Sequence, residues 1–238
     1  MNWRLNVPGA LGDEQVAQLL QAPGEVVSGK PGAVQVVRLQ QDGQVFYRKQ
    51  APAEPVSRLL ARFLRAGHWC SLPELEARTL QQLKTQGFSV IQVLAAGSAW
   101  RWGRPVAGVL LSAALEADSL EHRLQHADDS ARLLMAHAYG ALAGALHQAG
   151  GFDALRAKDI LVDRAGQLVL LDREKPLGRP GWHARRAARS LQRAWFRNRR
   201  SGLVLDAAGM QAFWSGYAQG AGISDATLAT LRRAVEAS

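Results

Sequence analysis

Cysteine is almost missing from this chain. Cys70 stands alone among 238 residues, which excludes an intrachain disulfide and any cysteine-based metal cluster. A reducing compartment suits such a sequence. Long apolar runs are missing too: the most apolar stretch, Val106 to Leu115, is too short to span a bilayer. The opening residues, MNWRLNVPGALGDEQ, lack the basic-then-apolar pattern of a secretory leader. A cytoplasmic location is expected, with any membrane contact confined to the surface. Acidic residues are the scarcer charge, 20 against 29 Lys plus Arg, for a formal net charge of +9. That balance favours acidic partners: nucleotides, nucleic acid or an anionic membrane face. No internal repeat or low-complexity tract is present. A hydrophobic share of 47% with 21% charged residues belongs to an ordinary soluble globular chain, long enough for one large domain or two small lobes.

The informative stretch runs from Leu146 to Lys175, LHQAGGFDALRAKDILVDRAGQLVLLDREK. It reads as a helix end, an irregular loop and a β-hairpin. Ile160 to Val162 and Leu168 to Leu171 are short apolar runs, and Asp163-Arg164-Ala165-Gly166 supplies the turn between them. Asp159 precedes the first strand and Asp172 follows the second, so antiparallel pairing brings both carboxylates to one end of the ribbon. Two acids there suit a hard divalent cation carrying phosphate oxygens. Two unrelated turn aspartates fit this stretch equally well.

Upstream, residues 1–22 read as a lead-in with a short helix over Asp13 to Leu20, and Gly24 to Lys49 as three strands. The loop Ser28-Gly29-Lys30-Pro31-Gly32 is either a cradle of backbone N–H groups for phosphates or a plain hairpin turn. Pro55 to Arg65 carries Val56, Leu59, Leu60, Phe63 and Leu64 at helical spacing, with Arg58, Arg62 and Arg65 elsewhere around the turn. Such a helix packs on its own domain or lies on an anionic membrane surface. Ser71-Leu72-Pro73-Glu74 resembles a capping box opening a helix to about Gln86. Glu76 falls on its apolar stripe with Leu72 and Leu80. There it either meets a cation, for which Lys49 at the end of a strand is the candidate, or reaches solvent at the stripe's edge. Strand-like segments follow at Val90 to Ala95, Ala99 to Trp102 and Val106 to Leu111. A link leads to a small helix from Ser119 to Gln125 and a buried one from Ser130 to Gln148.

A glycine-bearing hairpin, a strand lysine, a helix glutamate, a linker, a buried helix and a hairpin flanked by aspartates follow one another here. That order resembles the protein-kinase superfamily. The sequence is more closely similar to the bacterial lipopolysaccharide core kinases of the Kdo/WaaP group, and in particular their InaA-like branch. The segments that carry the likeness are SGKPGAVQVV with FYRK, LPELEARTLQQLKTQGFSV, LHQAGGFDALRAKDILVD and LVLLDREK. The resemblance implies a two-lobed α+β fold, with a β-rich N-lobe over residues 1–112 and a helical C-lobe over 113–238. It implies ATP and magnesium as cofactors. Lys49 would hold nucleotide phosphates and pair with Glu76, Ser28, Gly29 and Gly32 would cover the phosphates, and Asp159 and Asp172 would bind metal. All four of Lys49, Glu76, Asp159 and Asp172 would then line one cleft.

The sequence departs from the kinase pattern at one position. The aspartate that orients and deprotonates the acceptor hydroxyl in kinases is replaced here by Ala154, within Phe152-Asp153-Ala154. Asp153 serves as base only if the loop bulges. Two functions stay open: phosphoryl transfer to an inner-core sugar of lipopolysaccharide, or a pseudokinase acting through nucleotide binding and a regulatory partner. Trp182 to Arg200 reads as a strongly basic helix. Its arginines, among them Arg185, Arg186, Arg189 and Arg193, form either a surface for the anionic lipopolysaccharide core and inner-membrane face or a solvated helix side. Nucleic acid is not expected, because no base-stacking motif accompanies the charge. Phe213, Trp214 and Tyr217 are assigned to final packing.

Overall fold

The computed structural model describes residues 2–7, 11–30 and 32–236. The chain divides into two compact units, one of residues 1–115 with 173–176, the other of residues 116–172 with 177–238.

The first unit contains β1 (Asn2–Val7), α1 (Asp13–Gln21), β2 (Glu25–Gly29), β3 (Gln35–Gln41), β4 (Gln44–Pro52), α2 (Val56–Ala66), α3 (Leu72–Thr85), β5 (Val93–Arg101) and β6 (Arg104–Ala113). The strands form one antiparallel sheet in the order β1-β5-β6-β4-β3-β2. Strand β1 was missed in the lead-in because its pattern, NWRLNV, is mixed, and pairing to β5 supplies what its own residues do not. The two segments expected at Val90 to Ala95 and Ala99 to Trp102 merge into β5.

Alternation along β4 assigns neighbouring cations to opposite faces. Arg48 turns to the face covered by α1, where Val16 and Leu19 pack with Val37, Leu39, Phe46 and Leu111. Its Nη1 donates to the carbonyl oxygens of Leu19, Leu20 and Ala22 at 2.8, 2.8 and 2.9 Å. A buried cation thus satisfies the last carbonyls of α1, and burial lowers its pKa. Lys49, the next residue, faces α3.

At the start of α3 the capping-box expectation fails. Ser71 is the N-cap residue but makes no side-chain cap bond. Its Oγ donates to the Gly97 carbonyl at 3.3 Å, and Glu74 accepts from Ser98 Oγ at 2.5 Å. Both side chains are drawn to β5, whose buried polar groups need partners more than a helix end does. Nearby, Cys70 is buried and its pKa is raised to about 11, chiefly by desolvation. The folded protein is therefore expected to resist iodoacetamide at mildly alkaline pH and to label promptly in urea, as read by mass. Prompt labelling without urea would show that this segment opens.

The second unit contains β7 (Asp118–Ser119), α4 (Leu120–His126), α5 (Asp129–Gln148), β8 (Ile160–Val162), β9 (Leu168–Leu170), α6 (Ala184–Arg200), α7 (Ala207–Ala221) and α8 (Asp225–Glu236). A 3-10 turn, Ala157–Asp159, precedes β8, and β7-β8-β9 form a small antiparallel sheet. Helices α5 and α7 approach through paired glycines. A Cβ at Gly140 would fall on the Phe213 carbonyl oxygen, and one at Gly216 on that of His137. Gly144 and Gly220 repeat the arrangement one turn along. Phe213, Trp214 and Tyr217 are fully buried beside this contact. Among the described residues, no helix is long and apolar enough to cross a membrane.

Candidate active site

In the first unit, Lys49 lies mid-sheet, opposite Val36 of β3 and Leu110 of β6. Its ammonium reaches Glu76 Oε2 at 2.6 Å, and Glu76 is almost wholly buried. Of the two buried glutamates on α3, Glu74 serves β5 and Arg78, which leaves Glu76 for the lysine. A second carboxylate, Glu174, lies 3.5 Å from Lys49 Nζ. Sequence reading treated Glu174 only as part of the metal segment, since nothing local marks it as a partner for a strand 125 residues earlier. The Ser28-to-Gly32 loop is exposed where described, and Pro31 lies outside the described residues. Gly29 has φ +98°, and a Cβ there would meet the Val34 carbonyl, so the loop requires glycine at that point.

In the second unit, side chains pin the loop between α5 and β8 by its backbone. Phe152 O accepts from Arg193 Nη2 at 3.1 Å and Asp153 O from Ser190 Oγ at 3.0 Å. Leu155 O accepts from the Tyr139 hydroxyl at 2.6 Å, and Ala157 N–H donates to Asn198 Oδ1 at 3.1 Å. Behind the loop runs a buried relay. Trp182 Nε1 donates to the Tyr217 hydroxyl at 2.9 Å, and that hydroxyl meets His147 Nδ1 at 2.7 Å. His147 Nε2 in turn meets Ser190 Oγ at 3.0 Å. Because Ser190 gives its proton to Asp153 O, it must accept from His147, which fixes the proton on Nε2 and leaves Nδ1 to accept from Tyr217. Every donor in the chain is then used. Within the loop, Phe152 and Ala154 are buried while Asp153 is only partly so.

Arg156 is the residue that sequence reading overlooked, although its i,i+3 spacing to Asp159 was available. Its guanidinium grips both carboxylate oxygens of Asp159, from Nη2 to Oδ1 at 2.8 Å and from Nε to Oδ2. Burial draws the arginine's pKa down, yet the Asp159 bond and the charges of Asp159, Asp172 and Asp153 outweigh this and raise it. Asp159 itself is raised: burial drives it up, the Arg156 bond opposes, and the neighbouring charge of Asp172 adds to the rise. A backbone bond from Leu171 N–H to Asp159 O at 3.1 Å holds the two hairpin ends together. Asp159, whose ionisation is opposed by burial and by the neighbouring Asp172 charge, is a carboxylate that a divalent cation would suit.

The arginines of α6 divide. Arg186 lies over the Phe152 ring at 4.3 Å, and Arg193 holds the loop backbone. Arg185 and Arg189 are exposed and line a cavity with Trp182 and Thr230. At the far end of the helix, a cavity of ≈ 310 Å³ is lined by Arg156, Lys158, Arg197 and Arg200 with Asn198 and Ser201.

An antiparallel sheet carrying a lysine–glutamate pair, together with a pinned loop and hairpin carrying aspartates, defines a kinase-like α+β protein. The model of the lipopolysaccharide kinase (Kdo/WaaP) family matches residues 19–217, and the chain belongs to that family. Among solved structures it is similar to one described as WaaP in complex with acyl carrier protein, with a TM-score of 0.65 and 16% identity over 98% of each chain. At that identity the likeness speaks for the fold. No curated protein matches the chain.

Proposed function

We propose that the chain is an ATP- and magnesium-dependent kinase that phosphorylates a sugar hydroxyl of the lipopolysaccharide inner core. The observation that supports this best is the gathering of Asp153, Asp159 and Asp172 around Arg156. Asp159 and Asp172 would hold the metal, which supplies positive charge against the phosphate oxygens of the nucleotide. Lys49, oriented by Glu76, would hold phosphate oxygens, with Ser28, Gly29 and Gly32 over them. Asp153 would take the proton from the attacking sugar hydroxyl. Its carbonyl is fixed by Ser190, and it is the less buried side chain between Phe152 and Ala154, so it stands in for the missing aspartate at 154. The cationic cavity at Arg156, Lys158, Arg197 and Arg200 would seat carboxylate or phosphate groups of the acceptor.

A second reading, a nucleotide-binding pseudokinase, rests on Ala154 and on the Arg156 clamp, which covers both oxygens of a metal ligand. One experiment separates the two. Purified protein is given labelled ATP, magnesium and deacylated inner-core acceptors. Transfer is expected, and Asp153→Asn should reduce it about 10²–10⁴-fold with nucleotide binding intact. Lys49-dependent nucleotide binding without transfer to any acceptor would establish the pseudokinase reading instead.

A further inference from the structure

One end of the first unit exposes apolar surface that neither folding nor nucleotide chemistry explains. On α2, Val56, Leu60, Phe63 and Leu64 recur at the spacing of a single helix flank. Only Leu59 of that helix's large apolar residues is buried, whereas Val56, Leu60 and Phe63 are 46–48% exposed and Leu64 is 75% exposed. The flank continues onto the turn between β5 and β6. Phe63 meets Trp69 edge to face at 6.1 Å between ring centroids, and Trp69 Nε1 donates to the Gly103 carbonyl at 3.2 Å. Beside Gly103 stands Trp102, 82% exposed.

The backbone singles out Trp102. Arg101 pairs with Arg104, so Trp102 and Gly103 form a two-residue hairpin turn with φ of +49° and +71°. Such a turn favours asparagine or aspartate followed by glycine, and a bulky side chain in the left-handed region is an outlier. A tryptophan held there and projected into solvent gains nothing for the fold. Strain of this kind at an exposed tip points to use.

Charge identifies the occupant. Arg101 lies over the Trp102 ring at 4.2 Å, and exposed Arg104 is its partner across the turn. The nearby Glu54 is committed to Arg62, whose guanidinium it grips at 2.6 Å. A second copy of the chain seated on this patch across a two-fold axis would bring like charges together. A tryptophan tip and a leucine–phenylalanine flank bordered by arginines match instead the boundary of a bilayer with anionic headgroups. There indole rings sit at headgroup depth and cations meet lipid phosphates. We propose that the outer flank of α2 and the Trp102 turn form a membrane-docking surface for anionic bilayers. The surface lies within the first unit and uses none of the proposed catalytic residues.

The test is co-sedimentation of the full chain with vesicles of phosphatidylcholine alone, or of phosphatidylcholine mixed with phosphatidylglycerol. Binding to the mixed vesicles is expected, weakened by salt, with little binding to phosphatidylcholine alone. Leu60→Asp with Leu64→Asp, and separately Trp102→Ala, should each weaken it about tenfold or more. Arg101→Glu with Arg104→Glu should remove the preference for anionic lipid. These positions are exposed, and an unchanged thermal midpoint and nucleotide affinity would show that the variants are folded. If the leucine pair fails that check, Trp102→Ala carries the test alone. Absence of binding to mixed vesicles would overturn the proposal, as would binding that the folded variants leave unchanged. So would a self-association, seen by sedimentation velocity, that Trp102→Ala abolishes while vesicle binding is absent.

Discussion

Lys49→Met is expected to lower stability by about 3–5 kcal/mol, because it leaves the Glu76 carboxylate buried without its nearest cation. Urea denaturation reads that loss directly. The same variant should also lose nucleotide affinity, so one measurement cannot separate a structural role from a binding role. The double variant Lys49→Met/Glu76→Leu does separate them. Replacing both members of a buried pair with apolar groups of similar volume is often neutral. Stability should therefore return to near that of the unaltered protein while nucleotide binding stays lost. A double variant that recovers nucleotide affinity would remove Lys49 from the proposed site. A single variant of unaltered stability would mean that solvent or another cation compensates the Glu76 carboxylate once the lysine is gone.

Gly140→Ala and Gly216→Ala are expected to be the most damaging substitutions of small size. Each added methyl group would land on a backbone carbonyl of the opposing helix, and a backbone cannot turn aside as a side chain can. Overpacking in a close-packed interior costs about 1–3 kcal/mol and more where nothing yields; each variant should lie at or above the top of that range by chemical denaturation. Gly166→Ala is the comparison. That residue has φ +79° with nothing near its missing Cβ, so only the left-handed backbone resists, at about 1–2 kcal/mol. Equal losses at Gly140 and Gly166 would show that α5 and α7 shift apart at small cost.

Helices α4, α5 and α6 were legible because their signals are local. Ser119 caps α4 through the His122 N–H, Asp128 caps α5 through the Ala131 N–H, and the apolar residues recur at helical spacing. The strands bounding Asp159 and Asp172 were legible for the same reason, since apolar triplets around an Asp-Arg-Ala-Gly turn leave few alternatives. Lys49 with Glu76 was reached because a glutamate on an apolar stripe demands a cation. What escaped notice depends on partners distant in sequence. The glycines of α5 look like helix-weakening residues until α7 is laid against them. Ser190 and Asn198 look like polar interruptions in an arginine-rich helix until the loop they hold is seen. Ser71 and Glu74 carry a genuine helix-start pattern, but buried hydroxyls and a carbonyl on β5 compete for the same side chains and win.

Helix α6 performs two tasks on separate sides. Its inward residues Ser190 and Asn198, with Arg193 beside them, set the course of the loop backbone, whereas its outward arginines touch little of the protein itself. If those arginines receive the acceptor as proposed, drift in the outward set would alter which acidic molecules are welcomed without disturbing the alignment of Asp153. Under the proposed function, a lineage built on this helix would be free to exchange one acceptor for another while the loop that carries Asp153 stays in place.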